Sequence, residues 1–361
     1  MTTSSTLETA RPAPPAVNVD VRAARKIVDD LFTRNRPRYW IEFGLSIALA
    51  YLGLALFELD RPSSANSIVA YGVSMLATFR SLVFIHEIAH FRTGEFPSFR
   101  IGWNLLCGFP LLVPSFLYGN HWDHHARPTY GTSADSEYLP ARYNPALAIV
   151  GLLVAAVLFP LVFILRFAVL FPLSLLIPPL RKPVERRFSS LAIQPGYQRD
   201  QPDSEECRSW YLQETVCFTW IAAVTAGVVS GIVDVRLVVL GYAIVVGAQL
   251  LNTLRLLVAH RYLSDGVPIT VPEQVADSVD YPDGSTPDLW APVGLRYHAV
   301  HHLFPAMPYH SLAEAHQRLI AAGPQVADLK GCRGKGMFAQ LLELLRRTRH
   351  VRRAMSTAEG R

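Results

Sequence analysis

The sequence is short of charge. Of its 361 residues only 17% are Asp, Glu, Lys or Arg, where a soluble globular protein carries about a quarter. Half of the residues are apolar, and a chain so composed buries itself, which excludes disorder over most of its length. Cysteine is scarce and scattered. Cys107, Cys207, Cys217 and Cys332 lie far apart with no CxxC pair, so neither a disulfide framework nor a cysteine-held metal is expected. No repeat with a period of about 20–50 residues is visible. Residues 1–20 are rich in Ser, Thr and Pro; they lack the apolar core and cleavage site of a secretory leader and read as a disordered tail. The net charge of +5 would suit nucleic acid, yet the Arg and Lys residues border apolar runs, where membrane topology puts them.

What is present is a series of long apolar segments. A basic stretch holding Arg22, Arg25, Lys26, Arg34, Arg36 and Arg38 ends at Tyr39-Trp40, an aromatic anchor before the run Trp40–Leu59. A short loop with Asp60 and Arg61 leads to Ile68–Ile85. Each run is close to the ~20 helical residues that cross a hydrocarbon core, and the charge bias puts the amino terminus and the end of the second helix in the cytosol. Val216–Val233 and Leu237–Leu251, joined through Asp234, predict a helical hairpin. Ile101–Tyr118 contains Pro110 and Pro114 and is expected to lie at the interface or re-enter it. Pro145–Leu180 must begin and end on one side, because a basic cytosolic stretch, Arg181–Arg187, follows it; it is either a second hairpin turning near Pro160–Phe167 or one tilted, partly re-entrant element. The expected organisation is all-α and multi-pass. A disordered and basic cytosolic segment (1–38) precedes a transmembrane region (39–263), and a cytosolic cap with a basic tail (264–361) follows, with helices near Ser311–Ala322 and Met337–Arg347.

Twelve histidines are present, and nine of them cluster. The second apolar helix runs into His86-Glu87-Ile88-Ala89-His90; His121-Trp122-Asp123-His124-His125 comes later; His260 follows the hairpin; His298-Ala299-Val300-His301-His302 lies in the cap. On a helix, positions i, i+3 and i+4 share a face, so these patterns present imidazoles together. His310, His316 and His350 stand alone and read as ordinary titrating side chains. Ionisable groups beside membrane segments are costly, which argues against a purely structural use of the other nine. Nitrogen ligands suit iron, zinc, copper or nickel. Nine exceed what one ion takes, so two metals are implied, and an all-nitrogen set favours a pair of iron ions doing oxygen chemistry. All nine fall on the cytosolic face. His86-Glu87-x-x-His90 also satisfies the zinc-protease pattern HExxH, with Asp265 as a possible third ligand; that reading leaves seven histidines without a role.

With these residues the chain resembles the membrane fatty-acid desaturases, a family that includes related hydroxylases, over about Arg80 to Leu319. Beyond the histidines, Asn120-His121-Trp122-Asp123-His124-His125 with Tyr130-Gly131-Thr132, Ala259-His260-Arg261-Tyr262, and Gly294-Leu295-Arg296-Tyr297-His298 continuing to His302-Leu303-Phe304-Pro305 resemble the bacterial acyl-lipid enzymes. The resemblance implies a four-helix stalk with a cytosolic cap and two irons held by His86, His90, His121, His124, His125, His260, His298, His301 and His302. It implies O₂ as co-substrate, an acyl-lipid or fatty acyl substrate in a tunnel between helices and cap, and introduction of a double bond, with hydroxylation as the alternative. Some members place an Asn, as a water-mediated ligand, where this chain has Leu256; its nearest Asn is Asn252. Carboxylates available to fix imidazole tautomers are Asp123 and Asp135, the preferred pair, and Glu87, Glu137, Asp277 and Asp280. Arg80 and Arg255 precede ligands on their helices, and snorkelling to the interface is the more ordinary reading than contact with a lipid phosphate or carboxylate. The Arg346, Arg347, Arg349, Arg352 and Arg353 tail suits anionic headgroups or an acidic electron donor. There is no His-Pro-Gly-Gly haem motif and no Cys-rich iron–sulfur module, so electrons are expected from a separate ferredoxin or flavoprotein reductase, with no role for nucleic acid.

Overall fold

The computed structural model describes residues 17–59, 64–139, 145–194, 196–264 and 266–346. Asp60, Arg61, Asp265 and the tail from Arg347 onward lie outside them. Among the described residues there are helices and isolated β-bridges but no strand.

Among the described residues, five helices are long and apolar enough to cross a membrane. Helix α1 (Val21–Ile27) precedes them. The first two spans are α2 (Arg36–Leu59) and α3 (Ala65–Ala89), which pack as an antiparallel pair. Gly53 lets them approach closely: a Cβ there would stand 2.8 Å from the Ala70 carbonyl oxygen. Ser74 donates to the Ala50 carbonyl across the same contact. Small residues serve this purpose in lipid, where apolar burial between helices brings little.

The third of these helices is α4 (Pro145–Leu165), which runs on through one wide π turn at Arg166–Leu170 into Phe171–Leu176. Ile149 and Leu152 pack with Leu257 beside His260, and Arg166 returns to Phe188 and Ser189, so both ends of this element lie at the histidine end. Of the two readings of Pro145–Leu180, the structure takes the single bent element and not the hairpin. Pro160 sits inside the helix without ending it, since neighbouring turns can absorb a proline in an apolar setting. The fourth and fifth, α5 (Ser204–Val229) and α6 (Val235–Ala259), form the expected hairpin and are longer than their apolar runs. Asp203 and Asp234 cap them by accepting backbone N–H groups. Ile101–Tyr118 is no span. It breaks into the helix Pro97–Trp103, a π turn at Asn104–Gly108, a bend before Pro114 and a tight helical turn at Ser115–His121.

The cap contains α7 (His298–Leu303), α8 (Leu312–Ala322) and a helical segment at 337–346. Disorder through residue 20 is not what the structure shows at 17–20. Val17 and Val19 are buried with Ala24 of α1 and Val28 just after it against Leu319, Ala327 and Leu329; Asp20 N–H donates to the Val326 carbonyl at 2.8 Å, and Asp328 N–H to the Asn18 carbonyl at 2.9 Å. The apolar positions of this otherwise polar stretch suffice to dock it, and residues 1–16 lie outside the described set.

A candidate metal centre built from nine histidines

His86 occupies the last turn of α3 and His90 caps it. His121, His124 and His125 sit where the tight turn Ser115–His121 passes into a single α turn, Trp122–His125. His260 leaves α6 in an extended conformation and bridges to Ser278. The last three are on α7. The ligand nitrogens form two groups, each within 4.8 Å: His86, His90, His121, His125 and His301 in one, His124, His260, His298 and His302 in the other. Each HxxHH motif is divided in opposite sense. The first gives its i and i+4 imidazoles to the group of five and its i+3 imidazole to the group of four, while the second does the reverse.

The spacing within each group suits a common ion. Nitrogens bound at ~2.1 Å stand roughly 3 to 4 Å apart. His125 Nε2 lies 3.0 Å from His121 Nε2 and 3.1 Å from His301 Nε2. His260 Nε2 lies 3.1 Å from His124 Nε2 and 2.9 Å from His298 Nε2, which is 3.2 Å from His302 Nε2. Both ring nitrogens of His86 and His90 are buried without a hydrogen-bond partner among the described residues. Burying so many polar atoms unpaired is expensive, and a cation at each focus would satisfy them. Burial first, and then the neighbouring imidazoles, hold His90, His125, His298, His301 and His302 well below the ordinary histidine range. They are therefore neutral, the form that binds metal.

Three carboxylates fix ring orientation from behind. Asp135 faces His124 Nδ1 at 3.0 and 3.1 Å. Burial opposes the His124 charge, but the Asp135 carboxylate prevails and raises its pKa. Glu137 contacts His121 Nδ1 and accepts from Tyr118 Oη at 2.6 Å; burial would raise this carboxyl, and the His121 contact outweighs it and holds it at about 2. Asp277 lies 3.5 Å from His260 Nδ1 and accepts from Tyr130 Oη at 2.6 Å, and that hydroxyl lies 3.0 Å from the same ring nitrogen. Gly131, at φ +70°, turns the chain so that its own N–H donates to Asp135 at 2.9 Å; a Cβ there would meet Ser264 at 2.5 Å.

The structure separates the two preferred carboxylates. Asp135 reaches an imidazole, but the Asp123 carboxylate accepts from Tyr197 Oη at 2.9 Å and contacts no histidine. Asp280 accepts from Ala299 N–H at 2.6 Å and lies 3.7 Å from His316 Nε2, so it supports the start of α7 and not one of the nine clustered rings; burial pushes its carboxyl up to about 7. Glu137 and Asp277 take the places next to the rings; Tyr118 was given no role by the sequence, and Tyr130 figured there only in the Tyr130-Gly131-Thr132 resemblance. Glu87 faces away from both groups, bonded to Tyr39 Oη and, at 3.2 Å, to Tyr309 N–H. The zinc-protease pattern thus lacks its general base, and five imidazoles converge where that chemistry uses two.

A cavity of about 470 Å³ opens beside the group of five, between α3, α4, α6 and the segment 187–193, with His86, Tyr118 and Glu137 in its wall. Most of its wall comes from the membrane region, and Leu295 of the cap also lines it. Phe79, Leu82, Val83 and Phe159 make much of its surface apolar.

A family model described as fatty acid desaturase matches residues 64–329, which include all nine histidines. The chain belongs to the fatty acid desaturase family. A ceramide hydroxylase from Caulobacter vibrioides is 43% identical over 331 residues, covering 91% of this chain and 93% of the relative. No solved structure matches. This family member is an oxygen-dependent, lipid-related oxidoreductase, and its two histidine groups are consistent with the non-haem di-iron site of the family.

Proposed function

We propose that the protein is a di-iron hydroxylase that adds a hydroxyl group to a ceramide, using O₂ and electrons from a separate redox protein. The observation that carries this reading over desaturation, the reaction favoured by the sequence, is the 43% identity, nearly end to end in both chains, to a ceramide hydroxylase. The same ligand set serves both outcomes, so the histidines do not discriminate. The proposed ligands are His86, His90, His121, His125 and His301 for one iron and His124, His260, His298 and His302 for the other. The proposed site faces the cytosol, because the Arg and Lys residues of 22–38 and 181–187 adjoin the histidine end of the spans.

Two irons held there would supply O₂ activation and cleavage of an aliphatic C–H bond. The chain does the rest. Glu137, Asp135 and the Tyr130–Asp277 pair engage the Nδ1 side of His121, His124 and His260, which directs Nε2 inward. The apolar cavity wall aligns a hydrocarbon chain past His86 and excludes water from the carbon that reacts.

The test is expression in a ceramide-producing host with ample iron, followed by lipid mass spectrometry and elemental analysis of the purified protein. Expected are about two irons per chain and ceramides heavier by one oxygen. Products lighter by two hydrogens would return the protein to the desaturases. One zinc in place of iron would overturn both.

A further inference from the structure

The cavity wall contains Arg255 and Asn252, from the last turns of α6, facing the same space as His86. Arg255 is 8% exposed. Its Nε and Nη2 both donate to Asn252 Oδ1, at 3.2 and 2.9 Å, and its Nη1 has no hydrogen-bond partner among the described residues. Most other guanidiniums near the spans have an acid: Arg80 has Glu42, Arg166 has Glu214, Arg181 has Glu185 and Glu214, and Arg34 has Glu95. Arg255 has none within ion-pair distance. Glu137 shares the cavity, but its two oxygens are engaged by His121 and Tyr118. Asn252, a neutral acceptor, fixes the fork without cancelling its charge.

An arginine buried among membrane helices without a counter-ion is costly and marks a site. What it lacks is an acceptor oxygen delivered through the cavity. Resting on the ceramide-hydroxylase reading, we propose that Arg255, oriented by Asn252, binds the amide carbonyl oxygen of the lipid and thereby sets hydroxylation close to the amide instead of in mid-chain. Arg255 lies within electrostatic range of Tyr118 and Glu137, and Glu137 holds His121, so the anchor and the histidines share one end of the cavity. The hydrocarbon then runs along Leu82, Val83, Ala156 and Phe159. A neutral amide leaves the guanidinium charge in place, which Asn252 permits and a carboxylate at that position would not.

The iron-loaded wild type, Arg255→Met and Asn252→Asp are compared in three measurements: iron content, ceramide binding without reductant, and the hydroxyl position by tandem mass spectrometry. Arg255→Met keeps the stem volume and removes an unpaired buried charge. Expected are unchanged iron, ceramide binding weaker by roughly tenfold or more, and a hydroxyl spread over several carbons where the wild type uses one near the amide. Should Arg255→Met fail to fold, Asn252→Asp decides, since it is isosteric and neutralises the guanidinium; the same direction of change is expected. A wild-type product hydroxylated in mid-chain, or variants with unaltered binding and position, would overturn the assignment and leave the hydroxylase reading intact. Tighter wild-type binding of a free fatty acid than of ceramide would make the subsite one for carboxylates and overturn the amide. Ceramide left unmodified by the wild type would remove both.

Discussion

Asp123 and Asp135 flank the same turn of histidines, yet only Asp135 reaches an imidazole. Asp123 is the i+2 position of a motif whose i, i+3 and i+4 members point inward, and on a helical turn i+2 faces the other way. That much was legible in the sequence. The route of Asp135 was not, because it depends on the left-handed backbone at Gly131 and on the N–H that Gly131 supplies. Asp135→Asn should therefore weaken iron at the group of four by about 10- to 100-fold, the usual effect of losing a partner behind a ligand, while Asp123→Asn leaves iron affinity at the wild-type level. Chelator competition on both purified variants checks this, and equal losses would show that the carboxylates are not distinguished by their partners. The nine histidines themselves could be picked out by spacing alone. Their division between two foci could not, because HxxHH fixes a common face without saying which neighbouring ring completes it.

Helix α4 shows why hydropathy predicts a span better than its shape. Its apolar run holds one arginine, Arg166, which sequence reasoning could place at a hairpin turn or inside a bent helix. The structure keeps the helix going because Arg166 finds Glu214 of α5, which shares Nη2 with Ser189 Oγ, while Nε donates to the Phe188 carbonyl. Arg181 binds the second oxygen of Glu214 at 2.8 Å. Glu214 belongs to the polar first half of α5, which apolar runs did not predict as helix at all. A fully buried acid between two arginines makes the single substitutions unequal. Glu214→Leu strands the buried Arg166 guanidinium, while Arg181 keeps Glu185, and should cost about 3–5 kcal/mol, read as a large fall in thermal stability in detergent. Arg166→Met leaves Glu214 paired with Arg181 and should cost less. The double variant should recover part of the loss, since no charge then remains unmatched at the π turn; a double variant as unstable as both losses added would show that the two side chains act independently.

At the scale of the molecule, the nine clustered histidines lie at one end of the spans. His90 ends α3, His260 ends α6, and the antiparallel α5–α6 hairpin brings the start of α5 back to that end. The N-terminal strap and the cap cover it together. The proposed sidedness of this end rests on charge: arginines and lysines crowd the segments before α2 and between α4 and α5, whereas Asp60 and Asp234 lie in the loops between α2 and α3 and between α5 and α6. One native side chain can report it. Cys107, Cys217 and Cys332 are buried, and Cys207, in the first turn of α5, is partly exposed. A membrane-impermeant maleimide should label Cys207 in inside-out vesicles and fail to do so in right-side-out ones, with Cys207→Ser abolishing the signal. Labelling should quicken towards alkaline pH as the reactive thiolate forms. Labelling from the outside alone would turn the site away from the cytosol and from the soluble redox proteins there that the proposed reaction draws on.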